Sequence, residues 1–473
     1  MRKKKNIVLE KVFVEDYAAE GKALGRLNGK VVFIENVVPG DVVDVRLSKN
    51  KKDWAEGFPT HFHSFSKERV VPFCQHFGVC GGCQWQMLPY EKQLQYKQQQ
   101  VYDNLKRIGK VELPPFLPIA GAEYDKFYRN KLEYSFSAEE FIQEPPAYSR
   151  DFPPLGEQKG ALGFHAKGFF SKVVDIKKCW LQPEPTNAIR NAIREFALER
   201  NYSFYNIRQH TGLLRTMQVR ICITGEVMIN VIFGEYDEIK IQELMWFLKQ
   251  SFPAITSLLY TINLKKNDAV HNLEPQVYFG KGYVIEKLEE FSFKIGPKSF
   301  FQTNTKQAEK LYQVTRNFAE LTGEQILYDL YCGTGSIGIF CSKGAKKIIG
   351  VEVLNDAVED AKINAALNNI NHALFVTGDV IDICTNDFIE HQGTPDVLIT
   401  DPPRAGMNEN LVRKILEMEP PTIVYVSCNP ATQARDLALL DENYRVTKVQ
   451  PVDMFPHTHH IENVVQLKLK TGN

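Results

Sequence analysis

The stretch ILYDLYCGTGSIG, residues 326–338, joins an apolar strand pattern to a turn that contains three glycines. Glycine lets the backbone approach a ligand closely and adopt conformations that other residues avoid. Further buried strands are predicted at 347–353, 373–376, 396–400 and 422–427, each separated from the next by a helical pattern. Alternation of this kind indicates a doubly wound parallel sheet. The stretch therefore predicts the first strand and the ligand loop of a C-terminal, Rossmann-like α/β domain.

Acidic residues follow the next two strands. Glu352 ends the second strand about 20 positions beyond the glycines, where a carboxylate can accept hydrogen bonds from both hydroxyls of a ribose. Asp379 follows the third strand and can reach the adenine end of a nucleoside. No clear phosphate-binding helix start follows the glycine turn, so S-adenosylmethionine, a nucleoside without phosphates, fits better than a dinucleotide. The alternative readings are tight strand-to-helix packing for the turn and a solvated strand end for Glu352.

The last two strands of the pattern end in groups that can carry chemistry. The fourth ends in DPPR, residues 401–404, where two prolines stiffen the backbone at the mouth of the crevice. The fifth ends in SCNP, residues 427–430, which puts Cys428 at the same sheet edge. A buried cysteine is usually inert, but doubly wound folds place their chemistry at this edge. We therefore predict that Cys428 is a nucleophile and that the cleft favours its thiolate.

The segment HTHHIE, residues 457–462, precedes an apolar strand predicted at 464–467. Its three histidines suggest a metal site at first sight. They lack the i, i+4 pairing of the helix-borne zinc motif, however, which argues against metal binding. Glu462 is better interpreted as a base.

Six segments, in this order along the chain, resemble the uracil-C5 RNA methyltransferase family, whose members make 5-methyluridine in 23S ribosomal RNA and in transfer RNA. The segments are FFQTN at 300–304, DLYCGTG at 329–335, GVE at 350–352, DPPR at 401–404, SCNP at 427–430 and HTHHIE at 457–462. The resemblance implies that Cys428 is the nucleophile and Glu462 the base. It also implies that the cofactor and the target base are bound by Gln302, Tyr331, Ser336, Glu352, Asp379 and Asp401.

Three domains are predicted, divided as 1–62, 63–295 and 296–473. Short apolar runs and tight turns up to about residue 60 indicate a small β-barrel, which resembles the RNA-binding TRAM domain, an OB-like module. The central part mixes strands and helices without βαβ order and is expected to be an α+β domain. Its segment YRNK, residues 128–131, resembles an RNA-contact motif of the family. The third division is the methyltransferase domain.

Four cysteines are candidates for a metal centre: Cys74, Cys80 and Cys83 in one glycine-rich loop, and Cys179 farther on. Four thiolates suit tetrahedral zinc or a [4Fe-4S] cluster, and their three-plus-one arrangement favours iron without excluding zinc. The family resemblance adds that relatives with this pattern carry a [4Fe-4S] cluster. A structural or RNA-positioning role is expected for it.

The chain as a whole has 473 residues, a net charge of zero and nine cysteines. Neutrality means that RNA must be held by local basic and aromatic surface. The basic start at residues 2–5 is interpreted as a solvated terminus. No signal peptide or stretch of about 18 apolar residues is present, so we expect a cytoplasmic monomer with no membrane partner.

The resemblance, through the cysteine pattern, points to 23S ribosomal RNA as the substrate. The alternatives are a transfer-RNA uracil-C5 methyltransferase, a cytosine-C5 RNA methyltransferase and a non-catalytic RNA-binding protein with a relic cofactor fold. The Phe301-Gln302 motif and the order of Cys428 and Glu462 argue against the cytosine-C5 enzyme.

Overall fold

The computed structural model describes residues 7–142, 160–270 and 272–470, so the basic start at residues 2–5 lies outside the described residues. At the N-terminus five strands close into a barrel in the order β1-β2-β3-β5-β4, which confirms the predicted small barrel. Asn28 and Gly29 both have positive φ angles, 51° and 78°, as a two-residue hairpin turn between β2 and β3 requires. The strands are β1 (Val8–Tyr17), β2 (Ala23–Leu27), β3 (Lys30–Ile34), β4 (Val42–Asn50) and β5 (Trp54–Ser64).

The cysteine-bearing loop, residues 73–88, connects the barrel to helix α1 (Tyr90–Asn104), which ends in a π-helical turn at Leu105–Gly109. Helix α1 buries one face, at Gln93, Lys97 and Val101, and two of these three buried side chains are polar. Because buried polar groups need partners, this helix must bond to neighbouring elements.

The central part is one seven-stranded sheet in the order β12-β11-β10-β9-β6-β7-β8, antiparallel except between β10 and β11. Helices α2 and α3 pack against each other and on this sheet, with the rings of Phe196 and Phe247 stacked 4.3 Å apart. The elements are β6 (Lys131–Ser137), β7 (Ala161–His165), β8 (Val173–Asp175), α2 (Thr186–Glu199), β9 (Leu214–Ile221), β10 (Val227–Phe233), α3 (Glu238–Ser251), β11 (Ser257–Ile262) and β12 (Gln276–Gly280).

The C-terminal part is a second seven-stranded sheet, in the order β17-β16-β15-β18-β19-β21-β20. Its first five strands are parallel and carry helices on both faces, which confirms the predicted doubly wound domain. A hairpin precedes it. The elements are β13 (Val284–Leu288), β14 (Phe291–Ile295), α4 (Thr305–Ala319), β15 (Ile326–Leu330), α5 (Ser336–Phe340), β16 (Lys347–Glu352), α6 (Asn355–Leu367), β17 (Ala373–Thr377), α7 (Val380–Ile383), α8 (Asn386–Gln392), β18 (Val397–Thr400), α9 (Glu409–Met418), β19 (Thr422–Ser427), α10 (Pro430–Leu440), β20 (Tyr444–Val452) and β21 (Glu462–Leu469).

One feature of this domain differs from the sequence prediction. Strand β21 begins at Glu462 rather than at 464, because its first residue pairs with Val452 of β20. Helix α5 begins at Ser336, directly after the glycine turn. Strands β15 to β17 are added to one side of the sheet and β18 and β19 to the other, so a crevice opens at the carboxyl ends of the parallel neighbours β15 and β18.

Across the described ranges no helix has the length and apolar character that crossing a membrane requires.

Candidate active site

The glycine turn after β15 is built from left-handed backbone. Tyr331, Gly333 and Gly335 have φ angles of 61°, 53° and 75°. The amide of Gly338 donates to one oxygen of Asp329 at 2.8 Å, which ties the turn back to its own strand. The other oxygen of Asp329 is buried without a partner, and burial raises the pKa of this carboxyl to about 7. Asp329 is a site residue that the sequence analysis quoted but did not single out.

Glu352 and Asp379 stand on two sides of this turn. One oxygen of Glu352 accepts from the amide of Gly333 at 3.1 Å and the other from Leu354 at 2.9 Å, so the carboxylate is fixed at the rim of the crevice. Asp379 caps α7 by accepting from the amide of Ile381 at 2.9 Å. Burial raises the pKa of Tyr331, and the charges of Asp379 and Glu352 act in the same direction. Oriented carboxylates around an open turn suit the ribose and adenine of a nucleoside, so these residues fit S-adenosylmethionine.

Ser336 and Gln302 are two further residues predicted to bind the cofactor and the target base. The hydroxyl of Ser336 is 2.9 Å from that of Tyr312, a second residue that the sequence analysis missed. Burial raises the pKa of Tyr312, and the charges of Asp401 and Glu462 act in the same direction. Gln302 is half-buried, and its carbonyl accepts from the side chain of Asn130 at 2.9 Å.

Strand register brings Cys428 and Glu462 together. Ser427, the last residue of β19, pairs with Asn463 of the antiparallel strand β21. Cys428 directly follows Ser427 and Glu462 directly precedes Asn463, so both lie at the same edge of the sheet. Burial raises the pKa of Cys428 to about 11, with the charges of Glu462 and Asp401 next in importance, while Arg404 opposes them. The cleft of the free protein therefore disfavours the thiolate, contrary to the prediction, because burial and two carboxylates outweigh the one cation.

Glu462 and Asp401 are neighbouring acidic side chains. Glu462 is 6% exposed, and none of the described residues donates a hydrogen bond to its carboxyl group. Burial and the charge of Asp401 raise the pKa of Glu462 well above its ordinary value, while Arg404 lowers it. The pKa of Asp401 is raised to about 7 by burial. A buried carboxyl group that has a raised pKa, accepts no hydrogen bond from the described residues and lies beside a thiol is suited to exchange a proton.

The DPPR turn that carries Asp401 is held by helix α10. The carbonyl of Arg404 accepts from the side chains of Asn429 at 3.0 Å and Thr432 at 3.2 Å. The fully buried carboxylate of Asp436 accepts from the amide of Met407 at 2.9 Å. The nucleophile loop and the acid loop therefore share one support.

The three histidines before Glu462 point in different directions. The ring of His457 contacts Gln93 at 3.1 Å, and its other nitrogen lies 3.2 Å from Asp125. His459 bonds to Gln84, and His460 contacts the guanidinium of Arg404 at 3.2 Å. Burial lowers the pKa of His459 to about 4 and of His460 to about 3, so both rings are neutral at pH 7.

The segment YRNK, residues 128–131, lies between the central sheet and the methyltransferase domain. Asn130 donates through its amide to the carbonyl of Thr303 at 2.7 Å and through its side chain to the hydroxyl of Thr305 at 2.9 Å. The hydroxyl of Tyr128 donates to the carbonyl of Pro456 at 2.9 Å. These two side chains bind other parts of the protein, which does not fit the expected RNA-contact motif at their positions.

The four candidate cysteines line a single cavity of about 330 Å³, and none of them forms a disulfide. Burial raises the pKa of both Cys80 and Cys83 to about 12, and the neighbouring thiols act in the same direction. Cys179 is fixed through its amide, which donates to Asn187 at 2.7 Å. Within the described ranges, no three His, Cys, Asp or Glu side chains are close enough to hold one metal ion. Four sulfurs around a roomy cavity fit a multi-atom cluster better than a single zinc ion.

Comparison with known proteins gives consistent relatives. A family model for tRNA (uracil-5-)-methyltransferases matches residues 249–470. An RNA methyltransferase of Bacteroides thetaiotaomicron is 53% identical over 456 residues, covering 96% of this chain and 100% of the relative. One of Porphyromonas gingivalis is 48% identical, covering 97% and 99%. The solved structure of Pyrococcus abyssi tRNA (uracil-54, C5)-methyltransferase in complex with S-adenosyl-L-homocysteine is 28% identical, with a TM-score of 0.74, covering 97% and 100%.

Proposed function

The chain belongs to the uracil-C5 RNA methyltransferase family, an S-adenosylmethionine-dependent family of enzymes, and from this premise we propose that it methylates uracil C5 through a covalent adduct on Cys428. The observation that carries the proposal is the meeting of one thiol and one unbonded buried carboxyl at the end of the cofactor crevice. S-adenosylmethionine, when bound, supplies an electrophilic methyl group. The residues of the chain must make C5 nucleophilic and then remove its proton.

Uracil C5 is too weak a nucleophile to attack a sulfonium methyl group unaided. Addition of the Cys428 sulfur to C6 forms an S–C6 bond, and the π electrons of the C5–C6 bond become an enolate with carbanion character at C5. After C5 has gained the methyl group, Glu462 accepts the C5 proton. The released electron pair restores the C5–C6 double bond, and the S–C6 bond breaks to return the thiolate.

Two substitutions separate these steps. The Cys428→Ala protein is expected to lose both turnover and covalent RNA adduct. The Glu462→Gln protein is expected to lose turnover while a methylated RNA–protein adduct accumulates, since addition and methyl transfer do not need the base. Denaturing gels with radiolabelled cofactor detect the adduct. Glu442→Gln, on the exposed surface, is the matched control. Methylation by Cys428→Ala, or no adduct with Glu462→Gln, would contradict the mechanism.

We propose 23S ribosomal RNA as the substrate, on the resemblance of the cysteine pattern to the 23S-modifying branch. Transfer RNA is the second candidate, because the matching family model and the Pyrococcus abyssi relative are both named for it. Mass mapping of 5-methyluridine in ribosomal and transfer RNA from a deletion strain decides between them. Loss of the modification from transfer RNA alone would reject the first proposal.

An exposed row of aromatic and basic side chains supports an RNA surface on the barrel and the central domain. Phe65 of the barrel, 65% exposed, lies 5.4 Å from the guanidinium of Arg69. Phe170 of the central domain, also 65% exposed, lies 5.1 Å from that of Arg208. Asn36 of the barrel contacts the central domain near Phe170, because its carbonyl accepts from Arg69 and its side chain accepts from Lys167. Aromatic faces beside cations suit stacked bases and phosphates of single-stranded RNA.

Removal of the barrel tests this surface. A chain without residues 1–62, the proposed RNA-binding module, is expected to bind RNA more weakly while its cofactor affinity stays unchanged. Unchanged RNA affinity of the shortened chain would show that the barrel does not contact RNA.

For the cysteine cavity we propose a [4Fe-4S] cluster held by Cys74, Cys80, Cys83 and Cys179. Protein purified without oxygen should be brown and contain iron and sulfide, and Cys179→Ser should lower both. Its matched control is Cys384→Ser, which changes a buried thiol away from this cavity. Equimolar zinc without iron would replace the proposal with a zinc site.

A further inference from the structure

The loop at residues 453–461, which joins β20 to Glu462, is bonded at five consecutive carbonyl groups. A tight hairpin between paired strands needs only about two to five residues, whereas Val452 and Glu462 are directly paired across nine. Side chains donate to the first four carbonyls: Gln307 to Asp453 (2.7 Å), Asn304 to Met454 (3.0 Å), Lys97 to Phe455 (3.1 Å) and Tyr128 to Pro456 (2.9 Å). The carbonyl of His457 accepts from the backbone amides of Gln84 (2.8 Å) and Trp85 (3.0 Å).

The donors come from four separate parts of the chain. Gln307 and Asn304 belong to the start of α4 in the methyltransferase domain. The others lie outside that domain, on α1, before the central sheet, and in the loop directly after Cys83. The position of the loop is therefore set largely from outside the domain that holds the cofactor crevice.

A further residue of α1, Gln93, also holds this loop from outside the methyltransferase domain. Its side chain is fully buried, accepts from the amide of His457 at 2.8 Å and lies 3.1 Å from the His457 ring. It also donates to the carbonyls of Trp85 and Leu88, at 3.1 and 3.0 Å. His457 has a φ of 64°, a conformation that non-glycine residues keep only when their surroundings enforce it. Gln93, with the amides of Gln84 and Trp85, holds His457 in this conformation.

A buried ion pair fixes the other end of the loop. The ammonium of Lys97 lies 2.6 Å from the carboxylate of Asp453, both fully buried, and the hydroxyl of Tyr90 donates to the same carboxylate at 2.8 Å. A paired buried charge is costly to disturb, so this end of the loop is rigid.

We propose that Gln93 and Tyr128 are positioning residues that aim the Glu462 carboxylate at the C5 proton. The inference rests on the proposed function, because it assumes that Glu462 is the base. Neither residue touches the reacting atoms, and each acts through the loop that ends at Glu462. Loss of the contact of Gln93 with His457, or of Tyr128 with Pro456, should therefore slow proton removal from C5 while leaving sulfur addition and cofactor binding in place.

The test follows the two steps separately. Tyr128→Phe removes one hydroxyl, and Gln93→Leu removes the buried amide. We expect both variants to form the methylated RNA adduct at the wild-type rate, but to release tritium from C5-tritiated RNA about tenfold more slowly or worse, since misplacement by about 1 Å is enough for such a loss. The matched controls are Tyr124→Phe and Gln95→Leu, exposed residues of the same segments.

A double variant separates positioning from general damage. Adding Tyr128→Phe to Glu462→Gln should have no further effect on adduct accumulation, because the base is already absent. If Tyr128→Phe lost adduct formation and tritium release equally, its role would be structural only and the proposal would be overturned. Tritium release at the wild-type rate in Tyr128→Phe would also overturn it. If Gln93→Leu does not fold, Tyr128→Phe still decides the question. If Glu462→Gln itself forms no adduct, the assigned base fails instead, and the positioning proposal fails with it.

Discussion

The raised pKa of Cys428 has a direct chemical consequence, because only the thiolate reacts with alkylating agents. Burial and the charges of Glu462 and Asp401 move this pKa from 9.0 to about 11. At pH 8, a thiol with a pKa of 9 is about one-tenth ionised, whereas one with a pKa of 11 is about one-thousandth ionised. The free enzyme should therefore hold about 100-fold less thiolate at this position than an unfolded chain does.

The assay measures alkylation of Cys428 by iodoacetamide between pH 7 and pH 11, with mass spectrometry of the peptide that contains it. A synthetic peptide of residues 422–435 gives the unperturbed reference. Limited access slows alkylation at every pH, so the inflection of the pH profile, rather than the absolute rate, reports the pKa. We expect the rate in the protein to keep rising about tenfold per pH unit past pH 9, where the peptide levels off.

Glu462→Gln tests the electrostatic part of the explanation. The charge of Glu462 is one of the causes that raise the thiol pKa, so removing it should lower this pKa by about one unit and raise the alkylation rate at pH 9 about tenfold. Glu442→Gln should change nothing. An inflection at or below pH 9 in the wild-type protein would refute the reasoning, and so would an unchanged rate in Glu462→Gln.

Three further predictions follow from the same geometry. Glu352→Ala should weaken cofactor binding by about 1–3 kcal/mol, the cost of leaving ribose hydroxyls unpaired, while RNA affinity stays constant. Calorimetry measures both affinities, and an equal fall in the two would contradict the assignment. The single-turnover rate of methylation should rise as the pH passes through about 7, because Asp401 keeps its proton below that pH and loses it above. A rate that stays constant between pH 5.5 and pH 8.5 would exclude a role for the ionisation of Asp401. Phe170→Ala should weaken RNA binding by about 1–3 kcal/mol without affecting the cofactor, whereas Ile239→Ala, 81% exposed on α3, should leave RNA affinity unchanged.

The doubly wound domain was predictable because its strands are buried on both faces and therefore form continuous apolar runs. Five such runs agree with β15–β19 to within one residue at each end. Strand β21 was harder to place, since its first residue is the charged Glu462. No hydropathy pattern places a buried glutamate in a strand, and only its pairing with Val452 reveals it.

Glu352, Asp379, Asp401 and Cys428 could be predicted as site residues because each ends or follows a buried strand, whereas Gln302 was assigned from the family resemblance alone. Tyr312 and Asp329 were missed for the opposite reason, since one lies on a helix face and the other inside a strand, where buried polar groups leave no periodic signal. The raised pKa of Cys428 was also missed. It depends on how many carboxylates face the thiol, and Asp401 and Glu462 are distant in sequence.

The site contains three acids, Cys428, Asp401 and Glu462, in one partly buried space, and their protons constrain the order of the reaction. The thiol proton must leave before the sulfur adds to C6. A proton that stayed on Glu462 would leave no base for C5. Asp401 is more exposed than the almost fully buried Glu462 and offers that proton a route to water. Arg404 lies beside this pair and lowers the pKa of both Glu462 and Cys428, so it favours the ionised forms that the reaction requires. Burial and the two carboxylates oppose this effect, so most of the nucleophile stays protonated in the free enzyme at neutral pH.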